Sequence, residues 1–233
     1  STLKPNEATK STTEVVPTQN IEAYKLYRKA RDLWSTRGEA EMKQSIELFK
    51  QAIEMDSNFV EAYCGLGDAY AMMLPYNYIP TEKIKETTQL AEDAFFKAIK
   101  INPKYSGAYP AMGWIESWIK NRHDKALEHF DEALKYNPNN ATALMWKAIT
   151  CQVTRKSDEA IALGLKAVEL DPNNHVAYMI LSNCYSSDFQ YKKAEETARK
   201  SVTLKPDYGM GHENLFHALA MQEHKRAEMQ NHI

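Results

Sequence analysis

Through most of the chain, bulky apolar residues return at the i, i+3, i+4 and i+7 positions of a helix, with charged residues between them. The pattern breaks at regular intervals, each time around a similar phrase: FKQAIEMDSNF, FKAIKINPKY, FDEALKYNPNN, LKAVELDPNN and RKSVTLKPDY. Every phrase reads as a helix end followed by a turn residue, which is Ser57, Pro103, Pro138, Pro172 or Pro206. Proline cannot donate the helical hydrogen bond, so it stops the helix before it. Successive markers are 46, 35, 34 and 34 residues apart. A fixed period of this length predicts stacked hairpins of two helices, about 14 residues each, with every hairpin completing its core on the next.

Two helices approach closely only where small residues sit at their crossing. Gly67, Gly113, Ala148 and Ser182 occupy that place in the first helices, and Ala91, Ala126, Ala160 and Ala194 in the second. Tyr63, Leu66, Gly67 and Tyr70 follow the pattern W-x2-L-G-x2-Y, with tyrosine in the tryptophan position. Phe49, Phe95 and Phe130 supply the later aromatic, and Ala52, Ala98, Ala133 and Ala167 the small residue before the turn. On these residues the chain resembles the tetratricopeptide repeat family over roughly 21–232. The resemblance implies an all-α fold, a right-handed α-solenoid of about five hairpins and a C-terminal capping helix. The expected boundaries are 23–59, 60–105, 106–140, 141–174 and 175–208, with the cap at 209–230 and the whole solenoid at 21–233.

Departures from the period carry information. The first repeat has Ser57 instead of proline and is expected to turn more widely around Thr36-Arg37-Gly38. The second carries an excess near 75–86, PYNYIP included, read either as a connection that packs its own aromatics or as a lid. His224, Lys225, Arg226 and Glu228 are expected to give the cap a polar outer face. Residues 1–20, rich in Ser, Thr, Pro and charge, read as a polar linker.

Composition supports helices, with only Gly 8 and Pro 9 in 233 residues. A formal net charge of -2 supplies no positive field for nucleic acid or an anionic membrane, so neither is expected as a partner. No apolar run is long enough to span a membrane. Cys64, Cys151 and Cys184 are widely spaced within helical patterns, which favours buried thiols over a disulfide framework or zinc site and fits a reducing, cytoplasmic compartment, a periplasmic one staying open.

In the family that the chain resembles, first helices line a concave groove that holds a segment of another protein. The matching positions here are Tyr27, Arg31 and Trp34, then Cys64 and Asp68, Trp114 and Trp118, Met145 and Ile149, Met179 and Asn183, and finally Glu213 and His217. Members that grip a C-terminal carboxylate place lysine at the fifth position of a repeat, where this chain has Cys64, Pro110, Met145 and Met179. That charged clamp is therefore not expected. Methionine and tryptophan adapt to apolar surfaces, so an apolar or amphipathic segment is the expected ligand.

Nucleotide, hydrolase and metalloprotease motifs are absent, so neither catalysis nor a cofactor is expected. Glu213, His217 and His224 share a face of the last helix, but the spacing suits a solvated or partner-contacting face better than a metal site. Lys192-Lys193 and Arg199-Lys200 alternate with Glu195 and Glu196, as on a solvated helix, and Asn140-Ala141-Thr142 reads as a helix cap rather than a glycosylation site. PTQNIEAYKLYRKARDLW, SIELFKQAIEMDSNFVEAYCGLGDAYAMM and the long second-repeat loop also resemble the C-terminal repeat region of bacterial winged-helix or cyclase-linked signalling regulators. That implies a sensing or docking role; a free-standing adaptor and a small-ligand receptor with an aromatic groove are the other readings.

Overall fold

A computed structural model describes residues 18–231, with side chains as far as Glu223 in the last helix. The expected linker and the polar residues at 224–228 therefore lie largely outside the described part. Thr18 and Asn20 belong to the fold: Thr18 is buried and hydrogen-bonds to Asp56, while the Asn20 side chain accepts from the amides of Glu22 and Ala23.

Eleven helices are described: α1 (Ile21–Thr36), α2 (Glu39–Met55), α3 (Val60–Met73), α4 (Ile84–Ile101), α5 (Tyr109–Trp114), α6 (His123–Tyr136), α7 (Ala141–Val153), α8 (Ser157–Leu170), α9 (His175–Ser187), α10 (Tyr191–Leu204) and α11 (Gly209–Asn231). They pair as five antiparallel hairpins, α1 with α2 through α9 with α10, and α11 closes the end against α10 and α9.

The crossing residues explain the pairing. A methyl group on Gly67 would lie 2.7 Å from the Phe95 ring, and one on Gly113 would lie 2.4 Å from that of Phe130. Both rings are fully buried, so each glycine is the socket for its partner's aromatic. In α8 Gly164 stands where the phenylalanine stood, and Leu181 of α9, in the next hairpin, packs against it.

Between hairpins, Asp56, Asn102, Asn137 and Asp171 each end a helix, and their Oδ1 atoms accept from the amides of Asn58, Lys104, Asn139 and Asn173. This Asx turn, one residue before the proline or Ser57, sets the chain's direction. It explains why Ser57 can replace a proline at the first turn. Asn140 and Asn174 then cap α7 and α9, as expected for Asn140.

Within hairpins, the turns use left-handed residues that are not glycine: Arg37, Asn121, Arg155 and Phe189, with φ between 53° and 62°. The widened turn expected at Thr36-Arg37-Gly38 is instead tight. α1 continues to Thr36, Arg37 turns the chain, and α2 begins at Glu39, so the extra length lies in the helices. The second-repeat excess forms an irregular stretch at 74–80, a 3-10 turn over Thr81–Lys83 and part of an 18-residue α4. Tyr76 stacks on Tyr78, whose hydroxyl donates to the Arg37 carbonyl at 2.7 Å, so the stretch packs on the first hairpin.

Two stability measurements test this account. Gly67→Leu drives carbon into the Phe95 ring and is expected to cost about 1–3 kcal/mol in chemical denaturation; an unchanged midpoint would contradict the socket. Arg155→Gly relieves a left-handed conformation at an exposed site and is expected to raise stability by about 0.5–1 kcal/mol.

Candidate partner-binding groove

Curvature decides which surface can receive a ligand. Successive odd helices touch, α1 with α3, α3 with α5, α5 with α7, α7 with α9 and α9 with α11. No even-numbered neighbours, such as α2 and α4, make comparable contact among the described residues. Odd helices therefore occupy the shorter inner circumference and line the concave side. Twelve of the thirteen expected contact residues lie on them, and Trp118 lies on the π-turn that continues α5.

The first part of this face is polar. Arg31 Nη1 donates to Asp68 Oδ2 at 3.4 Å, and the Arg31 and Arg37 guanidiniums lie 4.4 Å and 3.7 Å from the Trp34 ring centroid. Trp34 Nε1 and Arg37 Nη1 are buried donors without an acceptor. Asp68 keeps 31% of its side-chain surface open. Burial pushes its carboxyl up to about 6, against the opposing pull of Arg31 and Arg37. Burial also raises the Tyr27 and Tyr105 hydroxyls.

The middle is apolar. Trp114 and Trp146 pack at 6.5 Å between centroids with planes at 60°, Met145 and Ile149 are half-buried beside them, and Trp118 is 55% exposed. Trp118 owes its position to an irregular helix. Pro110 at the start of α5 delays that helix to Tyr109, and its last turn widens into a π-helix over Ile115–Ile119. Behind the π-turn, the buried carboxylate of Glu116 accepts from Arg122 Nε at 2.5 Å and Nη2 at 2.7 Å. Lys120 lies 3.6 Å from Glu116 and also pairs with the buried Glu92 of α4. Lys147 similarly joins Asp131 of α6 to Glu159 of α8, at 2.8 Å and 2.7 Å.

Two of the expected residues are withdrawn from the surface. Cys64 and Met179 are each 6% exposed and belong to the packing between helices. Asn183 donates to the Met179 sulfur at 3.5 Å, whereas Glu213 and His217 are exposed on α11. Trp146, Glu61 and Tyr105 were not singled out from the sequence. Glu61 holds the second position of its repeat, so position-counting could have found it, whereas Trp146 falls one place after the fifth position and Tyr105 lies in the turn after α4.

Among the described residues no three His, Cys, Asp or Glu side chains are placed to hold a metal, and no helix is long and apolar enough to cross a membrane. Burial pushes Cys151 up to about 11 and Cys184 to about 12, so both thiols stay protonated at neutral pH and are poor nucleophiles.

The raised Asp68 predicts a pH signature. The folded state holds this proton more tightly than the unfolded chain, so its contribution to stability falls as pH rises from 3.8 to about 6 and is level above that. Denaturation of wild type and Asp68→Asn across this window is expected to show the wild type losing ground relative to the variant.

Comparison with known proteins agrees with this architecture. Tetratricopeptide repeat models match residues 120–175 and 175–208, and a TPR repeat model matches 41–73, together more than half of the chain. Human tetratricopeptide repeat protein 6 is 36% identical over 200 residues, covering 72% of this chain and 36% of that protein. Human protein O-mannosyl-transferase TMTC3 is 23% identical over 173 residues, covering 73% of this chain and 18% of that one. The chain thus spans about a third or less of the length of these relatives. A thermophilic TPR protein of Thermus thermophilus superposes with TM-score 0.68 at 16% identity, covering 85% of this chain and 99% of that one. PilW, described as a type IV pilus biogenesis factor, gives 0.65 at 17%, covering 91% and 95%. YrrB, described as a TPR protein with an unusual peptide-binding site, gives 0.52 at 22%, covering 81% and 89%. With five hairpins stacked on small-residue crossings and repeat models matching along its length, the chain belongs to the tetratricopeptide repeat family.

Proposed function

We propose that the concave face is a docking site for an apolar or amphipathic segment of a partner protein. The observation that carries this reading is the aromatic middle of the face, where the Trp114–Trp146 pair and the half-buried Met145 and Ile149 lie on inner helices and Trp118, four residues after Trp114, is 55% exposed. An exposed indole is costly in water and is a frequent anchor at interfaces. The peptide-binding site named for YrrB, a protein of the same fold, is consistent with such a use. Asn183, Glu213 and His217 extend the site toward α11, and Tyr27, Arg31, Trp34 and Asp68 extend it toward α1. Cys64 and Met179 support the floor from within.

We further propose that the domain serves as the docking or sensing region of a bacterial regulator, on the resemblance of its opening repeats. In that setting, occupancy of the groove would bias an attached effector.

Replacing Trp118 and Met145 together by glutamate is expected to lower affinity for an apolar helical peptide at least ~100-fold, since each loses an anchor worth about 1.5 kcal/mol or more. Calorimetric titration measures the affinity and circular dichroism checks that helicity is retained; undiminished binding would refute the site.

A further inference from the structure

Trp118 stands on a segment whose backbone departs from the α-helix. The amide of Lys120 donates to the Ile115 carbonyl at 3.1 Å, five residues back instead of four. Such π-turns are rare and seldom exceed a single turn. An α-helical register through the same residues would rotate each side chain after the shift by about 100° and take Trp118 off its present face. With little in the backbone itself to favour the wider turn, the side-chain ties around it decide whether it persists.

Those ties surround Trp118 on both sides. Glu116 accepts the two-pronged bond from Arg122, and the Arg122 amide donates to the Glu116 carbonyl at 2.7 Å. Ser117 Oγ lies 3.0 Å from His123 Nδ1 at the start of α6 and 3.4 Å from Thr150 Oγ1 of α7. Lys120 Nζ pairs with Glu92 of α4 and lies 3.6 Å from Glu116. Asn121, at φ 53°, reverses the chain directly afterwards. The Glu92 and Glu116 side chains are only 6% and 7% exposed, so water and salt screen these pairs weakly. The Glu116–Arg122 bond closes within the third hairpin, whereas Lys120 reaches the second hairpin and Ser117 the fourth.

We infer that Lys120 and Ser117 are positioning residues: through Glu92 of α4 and Thr150 of α7 they hold the π-turn in its register and so pre-order Trp118 for the docked segment. The inference rests on the docking function proposed above and adds that its indole anchor is fixed before the partner arrives, which leaves less ordering cost to binding.

The test combines Glu92→Leu with Lys120→Met, which removes the tie to α4 without leaving either charge buried alone, while Glu116 keeps Arg122. Ser117→Ala deletes one hydroxyl and provides a second variant should the double replacement fold poorly. With 5-fluorotryptophan in the full chain, the four tryptophans report separately by fluorine NMR, and Trp118→Phe identifies the Trp118 line. The wild type is expected to show a narrow Trp118 line. The double replacement should broaden or split it while leaving the Trp34 line and the thermal midpoint nearly unchanged, and Ser117→Ala should do so to a smaller extent. Lys120→Arg, which keeps a cation, should restore the wild-type line. A labelled amphipathic peptide rich in leucine, methionine and phenylalanine, followed by fluorescence anisotropy, should bind the double replacement about tenfold more weakly, as when Trp118 holds its docking position about a tenth of the time. Unchanged affinity in the double replacement and in Ser117→Ala, with binding still lost on the Trp118 and Met145 replacements, would overturn the positioning role and leave the groove standing. Binding of no peptide by the wild type would overturn the docking function, and an altered Trp118 line would then report the anchoring of the turn alone.

Discussion

Everything in this molecule depends on how closely two helices can cross. Gly67 under Phe95, and Gly113 under Phe130, let the helices of a hairpin approach until an aromatic ring fills the place of a side chain. That contact fixes the hairpin's geometry and leaves its remaining apolar surface for the next hairpin. Five hairpins follow because none can bury its own core alone. Gly164 of α8 meets Leu181 of α9 in the next hairpin, so small residues also admit close packing between hairpins.

Stacking with the odd helices inside creates the concave face, and irregularity in one hairpin gives it chemical character. Pro110 shortens α5 from its start, and the π-turn over Ile115–Ile119 widens it at its end. The irregular segment is held from behind by Glu92, Glu116, Lys120 and Arg122, an ionic cluster in which two carboxylates are nearly sealed from water. Such a cluster is sensitive to loss of either partner, since an unpaired charge would be left buried. It ties the π-turn that carries Trp118 to α4 through Lys120 and Glu92.

The face is consequently divided. Toward α1 it offers a carboxylate, phenols and two guanidiniums around Trp34; toward the middle it offers indoles, thioether and aliphatic surface. A polypeptide bound along it would meet a polar end and an apolar centre, which favours one direction of binding over the other.

Much of this was legible in the residues. The 34-residue spacing, the small residues at the crossings and the prolines after the second helices determined the all-α class, the five hairpins and the terminal helix, because those features depend on local helix propensity and repeat-to-repeat packing. Counting positions also assigned the expected contact residues to the first helices of the hairpins. The Asx turn before each proline carried a sequence signal, an Asp or Asn at that place in four of five turns, that is visible once the turn is seen. Other features were decided only by tertiary structure. Burial of Cys64 and Met179 and exposure of Trp118 depend on the angle between neighbouring hairpins and on where one helix widens. Repeat spacing specifies which face a residue occupies; how deeply it lies there is set by neighbours distant in the chain.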